Sequence, residues 1–172
     1  IWLGSFGKGV YEIQIKNDEI KNIKLYSHNP SDRNSLSYNQ VCDLIRPVIV
    51  DTNALWIATA NGMNRFDLKT KSFTHFFEKD GIPDNYVLQV QEDNSGNIWI
   101  TCSIGLAKYD IKTRLWKSYS IADGMPFENF GGCRQNNVKG PDGKLYFSGG
   151  SGTIGFYPDQ IKDNSFIPPI VI

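Results

Sequence analysis

Apolar and polar positions alternate along this chain in short runs, broken by Gly, Asn and Asp, and the runs recur. Ile1-Trp2-Leu3-Gly4-Ser5 returns as Leu55-Trp56-Ile57-Ala58-Thr59, as Ile98-Trp99-Ile100-Thr101-Cys102 and as Leu145-Tyr146-Phe147-Ser148-Gly149. The aromatic positions lie 54, 43 and 47 residues apart. After each comes a Gly-apolar turn and a second run, opened by Gly9-Val10, Gly62-Met63, Gly105-Leu106 and Gly152-Thr153. A third run follows in three copies: Ile20 to Tyr26, Ser72 to Phe76 and Leu115 to Tyr119. One more precedes each later copy of the aromatic run: Gln40 to Ile45, Tyr86 to Gln91 and Phe130 to Val138. Period-two alternation in β-branched and aromatic residues predicts strands, and no window of helical periodicity competes with it. Asp93-Asn94-Ser95-Gly96-Asn97 and Pro141-Asp142-Gly143 predict tight turns.

Four antiparallel strands every 40–50 residues is the spacing of β-propeller blades. A single blade cannot cover both of its faces, so neighbours must pack on one another around an axis. Trp2, Trp56, Trp99 and Tyr146 are the side chains expected to wedge between blades. The predicted fold class is all-β: a β-propeller fragment of fourteen strands, about three and a half blades, over residues 1–158. The blades fall at 1–26, 38–77, 86–119 and 130–157. Closed propellers have about 4–8 blades, and an open arc exposes strand edges and apolar faces. The chain is therefore expected either to self-associate or to need the remaining blades of a larger parent protein. Two copies would supply the strands of a seven-bladed ring. Ile1-Trp2-Leu3-Gly4 reads as the middle of a strand, as if cut from something longer. Residues 159–172, with Pro168 and Pro169, read as a linker into a further β domain.

Composition narrows the function. Lys plus Arg equals Asp plus Glu, 18 each, and no more than two basic residues are adjacent. Neither nucleic acid nor an anionic membrane surface is an expected partner of this segment. No apolar stretch approaches the ~18 residues of a membrane span, so a membrane would be reached only through other parts of a parent chain. Cys42, Cys102 and Cys133 lack metal-ligand spacing and read as small buried or half-buried residues. His28 and His75 fall in separate units with no metal-ligand neighbour. The Asp93 loop lacks the further acidic ligands of a calcium site and reads as a hairpin turn. Gly149-Gly150-Ser151-Gly152 joins two strands and opens no helix, so phosphate cradling lacks its context. No catalytic residue, metal or cofactor is expected.

A closed ring offers a funnel lined by the connections between units and by the turns between second and third strands. Asn39, Asn85 and Asn129 read there as turn caps, because the same residue recurs at one point of each unit. The unrepeated neighbours Lys8, Tyr38, Asn61, Tyr86, Ser103, Glu128 and Arg134 are the candidate ligand-binding residues. Aromatic rings beside amide, hydroxyl and charged groups suit stacking and hydrogen bonding to a sugar.

The pattern from Asn85 through Glu92-Asp93, Gly96-Asn97-Ile98-Trp99-Ile100-Thr101 and Gly105-Leu106 to Tyr109-Asp110 resembles the two-component-regulator propeller repeat. The stretch from Asp142 to Gly150, with Phe156, Pro158 and Pro168-Pro169-Ile170-Val171-Ile172, is similar to that family's final blade, which runs into an immunoglobulin-like domain. Ala58 and Thr101 replace the usual Gly after the Trp-Ile pair, and Arg46 to Asn53 replaces the usual Asp-x-x-Gly turn. The resemblance implies the periplasmic sensor region of a hybrid two-component histidine kinase of Bacteroides type. It implies a membrane helix, a kinase, a receiver and a DNA-binding domain elsewhere in the parent, and the expected ligand, read from the funnel residues, is an oligosaccharide. The rival expectations are a propeller lyase or glycosidase, with Asp84 and Glu128 as its weak acidic pair, and a protein-interaction propeller without a small ligand.

Overall fold

A computed structural model describes residues 1–131 and 136–161. It contains four antiparallel sheets, which are the predicted blades. The first holds β1 (Trp2–Ser5), β2 (Gly9–Lys16) and β3 (Glu19–Tyr26). The second holds β4 (Val41–Ile45), β5 (Ala54–Thr59), β6 (Gly62–Asp67) and β7 (Phe73–Phe76). The third holds β8 (Val87–Glu92), β9 (Ile98–Cys102), β10 (Leu106–Asp110) and β11 (Leu115–Tyr119). The fourth holds β12 (Asn137–Lys139), β13 (Leu145–Gly149) and β14 (Gly152–Phe156). Three short 3-10 turns complete the described elements. Of the expected strand from Phe130 to Val138, the described part Asn137–Lys139 pairs with β13. Within that span, residues 132–135 lie outside the described ones, as do Cys133, Arg134 and most of the expected linker.

Each sheet runs in simple meander order, so cross-strand partners share a face and the two faces of a blade can be read from the register. In the second blade Leu55 pairs with Phe66 and Phe66 with Phe73, and this face packs back onto the first blade. Trp56 stands on the opposite face and packs forward against Tyr109 and Trp116 of the third blade, with ring centroids 5.1 and 6.2 Å away. Trp99 repeats the arrangement against Phe156 of the fourth blade at 4.9 Å. Trp2 does so against Phe66 of the second at 5.8 Å. Trp56 and Trp99 are wholly buried. The core is thus three apolar seams, one between each pair of successive sheets, as expected for blades that shield only one another.

Tyr146 departs from the prediction. Its ring lies over Gly155 of its own sheet, where an added Cβ would meet it at 2.7 Å, and Lys144 sits 5.3 Å from its centroid.

Carboxylates fix the wedges. Trp99 Nε1 donates to Asp93 Oδ2 at 2.9 Å, and Asp93 also accepts the backbone N–H of Ser95 and Asn97. That loop is a turn cap joined to an indole clamp. Trp56 Nε1 donates to Asp51 at 2.9 Å, although the sequence around Asp51 lacks the Asp-x-x-Gly pattern. Asp51 also takes a two-pronged contact from Arg65 at 2.7 and 2.6 Å.

Candidate functional site

The connections leading into β4 and β8, and the turns after β1, β5, β9 and β13, all lie at one end of the sheets, because the strands alternate in direction. This is the end at which the sequence places a funnel in a closed ring. Its loops are built alike. After β7 and after β11 the chain makes a 3-10 turn, and the carboxylates of Asp80 and Asp123 accept the N–H of Phe77 and Ser120, each at 2.9 Å. Gly81 and Gly124 follow at φ 105° and 91°, a left-handed backbone that favours glycine.

The loop then returns to its own start. Asn85 Oδ1 accepts the Glu78 N–H at 3.0 Å, Glu128 Oε1 accepts the Ile121 N–H at 2.7 Å, and Asn39 Oδ1 accepts the His28 N–H at 2.7 Å. The carbonyls of the same three residues accept the N–H of Gly62, Gly105 and Gly9 respectively. The repeated position is therefore Asn39, Asn85 and Glu128. Glu128 stands where the sequence alignment had put Asn129. A longer carboxylate side chain replaces the amide but accepts the same kind of hydrogen bond, which an alignment by residue identity misses.

The residue after the repeated one varies: Gln40, Tyr86 and Asn129. Gln40 Nε2 donates to Tyr86 Oη at 2.7 Å, so two blades join across the rim. Asn129 bridges to Ile104 on the turn after β9. Gln40 was missed among the candidates, and the signal for it was its place beside a repeated Asn. Tyr86 is 38% and Tyr38 44% exposed. Ser103 donates its hydroxyl to Asp84, which also accepts the Tyr86 N–H. Lys8 lies exposed in the turn after β1, its N–H held by Ser5 Oγ at 2.9 Å.

Asn61 lines a separate cavity of about 220 Å³ between the first and second blades, with His28, Arg33, His75 and Phe77. The two histidines, in separate units of the sequence, meet the same segment here. His28 Nδ1 lies 2.7 Å from the Leu36 carbonyl, and His75 Nε2 lies 2.8 Å from that of Ser35. The buried Asn64 side chain holds the next residue, accepting the Ser37 N–H at 2.9 Å and donating to its hydroxyl at 2.8 Å.

Below the rim, bulges in β4 and β8 turn Asp43 and Gln89 towards neighbouring blades. Asp43 accepts the Val90 N–H of the third blade at 2.9 Å and the Asn137 amide of the fourth at 2.6 Å. Burial pushes its carboxyl above the usual range, against the pull of those donors. Gln89 Nε2 donates to the Ser148 carbonyl of the fourth blade at 2.7 Å. Cys42, next to Asp43, is a free thiol that burial pushes up to about 11, with Asp43 adding to the shift. Cys102 is free and buried, and its thiol is likewise raised by desolvation. Among the described residues, no group of three or more His, Cys, Asp or Glu is placed to hold a metal, and no helix is long and apolar enough to cross a membrane.

The unit from Gly81 to Ser103 thus carries the left-handed glycine, the repeated Asn, the bulged inner strand and the clamped Trp. Residues 81–103 match the family described as two component regulator propeller. No curated protein matches the chain. Among solved structures, the chain is similar to the extracellular domain of BT3049 from B. thetaiotaomicron, described as a hybrid two component system. The identity is 26% and the TM-score 0.72, over 92% of this chain and 20% of that one. The chain therefore spans about a fifth of the length of that structure. PorZ of Porphyromonas gingivalis, a surface component of the type-IX secretion system, is 24% identical with a TM-score of 0.51, over 69% of this chain and 17% of its own. A streptogramin B lyase is 20% identical with a TM-score of 0.54, over 90% of this chain and 53% of its own. The last two share the fold alone. The likeness to a sensor's extracellular domain supports a sensor role and an extracytoplasmic location for this segment.

Proposed function

We infer that the chain is part of the periplasmic sensor region of a two-component histidine kinase, and that its rim recognises an oligosaccharide. The observation that carries this reading is the Gln40–Tyr86 pair, an exposed aromatic ring fixed by an amide on loops locked to the strand turns. A ring of that kind stacks on a sugar face, while Tyr38, Lys8 and Ser103 offer polar groups from the same end of the sheets. Asp84 and Glu128, the acidic pair an enzyme would need, are each engaged in holding a loop. That favours recognition over hydrolysis. Ligand binding would reach the rest of the parent by a population shift in blade packing, with Asp43 linking three blades below the rim.

Calorimetry against a panel of oligosaccharides tests this. One member should bind, and Tyr86→Ala or Gln40→Ala should weaken it at least tenfold while the melting temperature stays within about 3 °C. Binding that survives both substitutions overturns the site. Turnover of the sugar would support the lyase or glycosidase reading instead.

A further inference from the structure

On the second strand of each of the first three blades, the residue paired with the tryptophan is charged. Glu12 pairs with Trp2, Arg65 with Trp56 and Lys108 with Trp99, so each stands on its blade's forward face. In the first seam Glu12 meets Lys71, from the turn between β6 and β7, at 3.6 Å. In the third, Lys108 lines a cleft together with Asp142 and Asp159. The counterpart of Lys71 in the second seam is Arg114. Lys71 and Arg114 hold φ at 59° and 60°, and donate their N–H to the carbonyls of Asp67 and Asp110. Arg65 thus faces a second arginine where the other two seams set opposite charges.

The two arginines line one cleft of about 460 Å³ between the second and third blades, at the end of the sheets away from the rim. Val50 and Asp51 close one side of it. They belong to the loop that departs from the Asp-x-x-Gly turn, and the buried Glu92 carboxylate holds that loop by accepting the Val48 and Ile49 N–H at 2.8 and 3.1 Å. The neighbouring carboxylates are engaged. Asp51 takes Trp56 and Arg65, Asp67 lies 3.8 Å from Arg65, and Asp110 accepts the N–H of Lys112 and Thr113. Arg114 is exposed and, among the described residues, forms no ion pair. Burial raises the Tyr109 phenol above its ordinary value, while Arg114 and then Arg65 pull against it, the mark of a positive potential at that hydroxyl.

We propose that this cleft binds a small organic carboxylate, with Arg114 as its anchor. A guanidinium presents parallel N–H donors that match the two oxygens of a carboxylate. Tyr109 and Thr74 add hydroxyls to the lining, and Phe76, Ile111 and Val50 give an apolar wall for the rest of the molecule. The volume falls within the ~300–1,000 Å³ of small-molecule sites. Sugar acids and free aromatic acids both carry the required group. The cleft stands apart from Gln40 and Tyr86, so it is independent of the rim and of what binds there.

Calorimetry with glucuronate and with benzoate tests this, with glucose as the neutral control. At least one acid should bind with a Kd below about 1 mM, and glucose should not. Arg114→Gln should weaken that binding about tenfold or more without moving the melting temperature, since the side chain is exposed. Lys112→Gln removes the same charge from the same turn but outside the cleft, and should weaken binding less than about twofold. Binding of glucuronate assigns the cleft to a sugar acid, and binding of benzoate alone to a free acid. The proposal is overturned if neither acid binds, if glucose binds as well as they do, or if the two substitutions weaken binding equally, which would mark diffuse charge and no site.

Discussion

The two end blades of this chain are built from the same repeat but finish differently. The first turns Ile1, Leu3, Ile23 and Leu25 outward, whereas the fourth turns out Tyr146, Ser148, Thr153 and Gly155. One end is an apolar surface of the kind buried at every interior seam. The other has its aromatic residue lying flat, with the exposed Val138 and the polar Ser148 and Thr153 beside it. The interior faces of the second and third blades show what both ends would be with a neighbour: Trp56 and Trp99 wholly buried, their indoles held by Asp51 and Asp93. Blade packing is therefore directional, with the first three sheets passing a wedge forward and the last three receiving one from behind.

The strongest way to break that comparison is to remove the wedges in turn. Trp56→Ala should cost about 3–5 kcal/mol, because a fully buried ring leaves a cavity between two sheets. Trp2→Ala should cost roughly half as much, since its ring is only partly covered. Tyr146→Ala should cost about 1 kcal/mol or less. Urea unfolding of the three variants checks the order, and equal losses would end the directional reading.

A smaller effect is expected at the clamp. Asp51→Ala leaves the Trp56 indole and the half-buried Arg65 guanidinium without their shared carboxylate, and should cost about 2–3 kcal/mol. Arg65→Met made on that background should recover part of the loss, because the charge left without a partner is then gone. No recovery would mean that the indole bond alone matters.

The smallest effect concerns the axis, where Asp43 joins the second blade to the third and fourth. Burial raises its carboxyl in the folded chain, so ionisation disfavours the fold. Its favourable contribution is complete below about pH 4, the ordinary carboxylate value, and is lost as pH rises through the higher folded value. The wild-type urea midpoint should accordingly gain on that of Asp43→Asn as pH falls from about 7 to about 4.5. The opposite slope would mean that the Val90 and Asn137 donors outweigh burial.

Strand number, strand order and the wedges of the second and third blades were legible in the sequence. All three follow from period-two alternation and from turn residues, which act over a few neighbours. The position of Glu128 in the rim was not legible, because a carboxylate there accepts the bond that an amide accepts in the other units. Nor was the approach of His28 and His75 to adjacent carbonyls, or the reach of Asp43 across three blades. Those contacts join residues of separate units, and they depend on where bulges turn the inner strands and how far each sheet rotates from the last. The linear pattern determined that this chain forms blades. Only their packing decided which polar groups meet at the rim and axis, because that is set by distances between sheets and not along a strand.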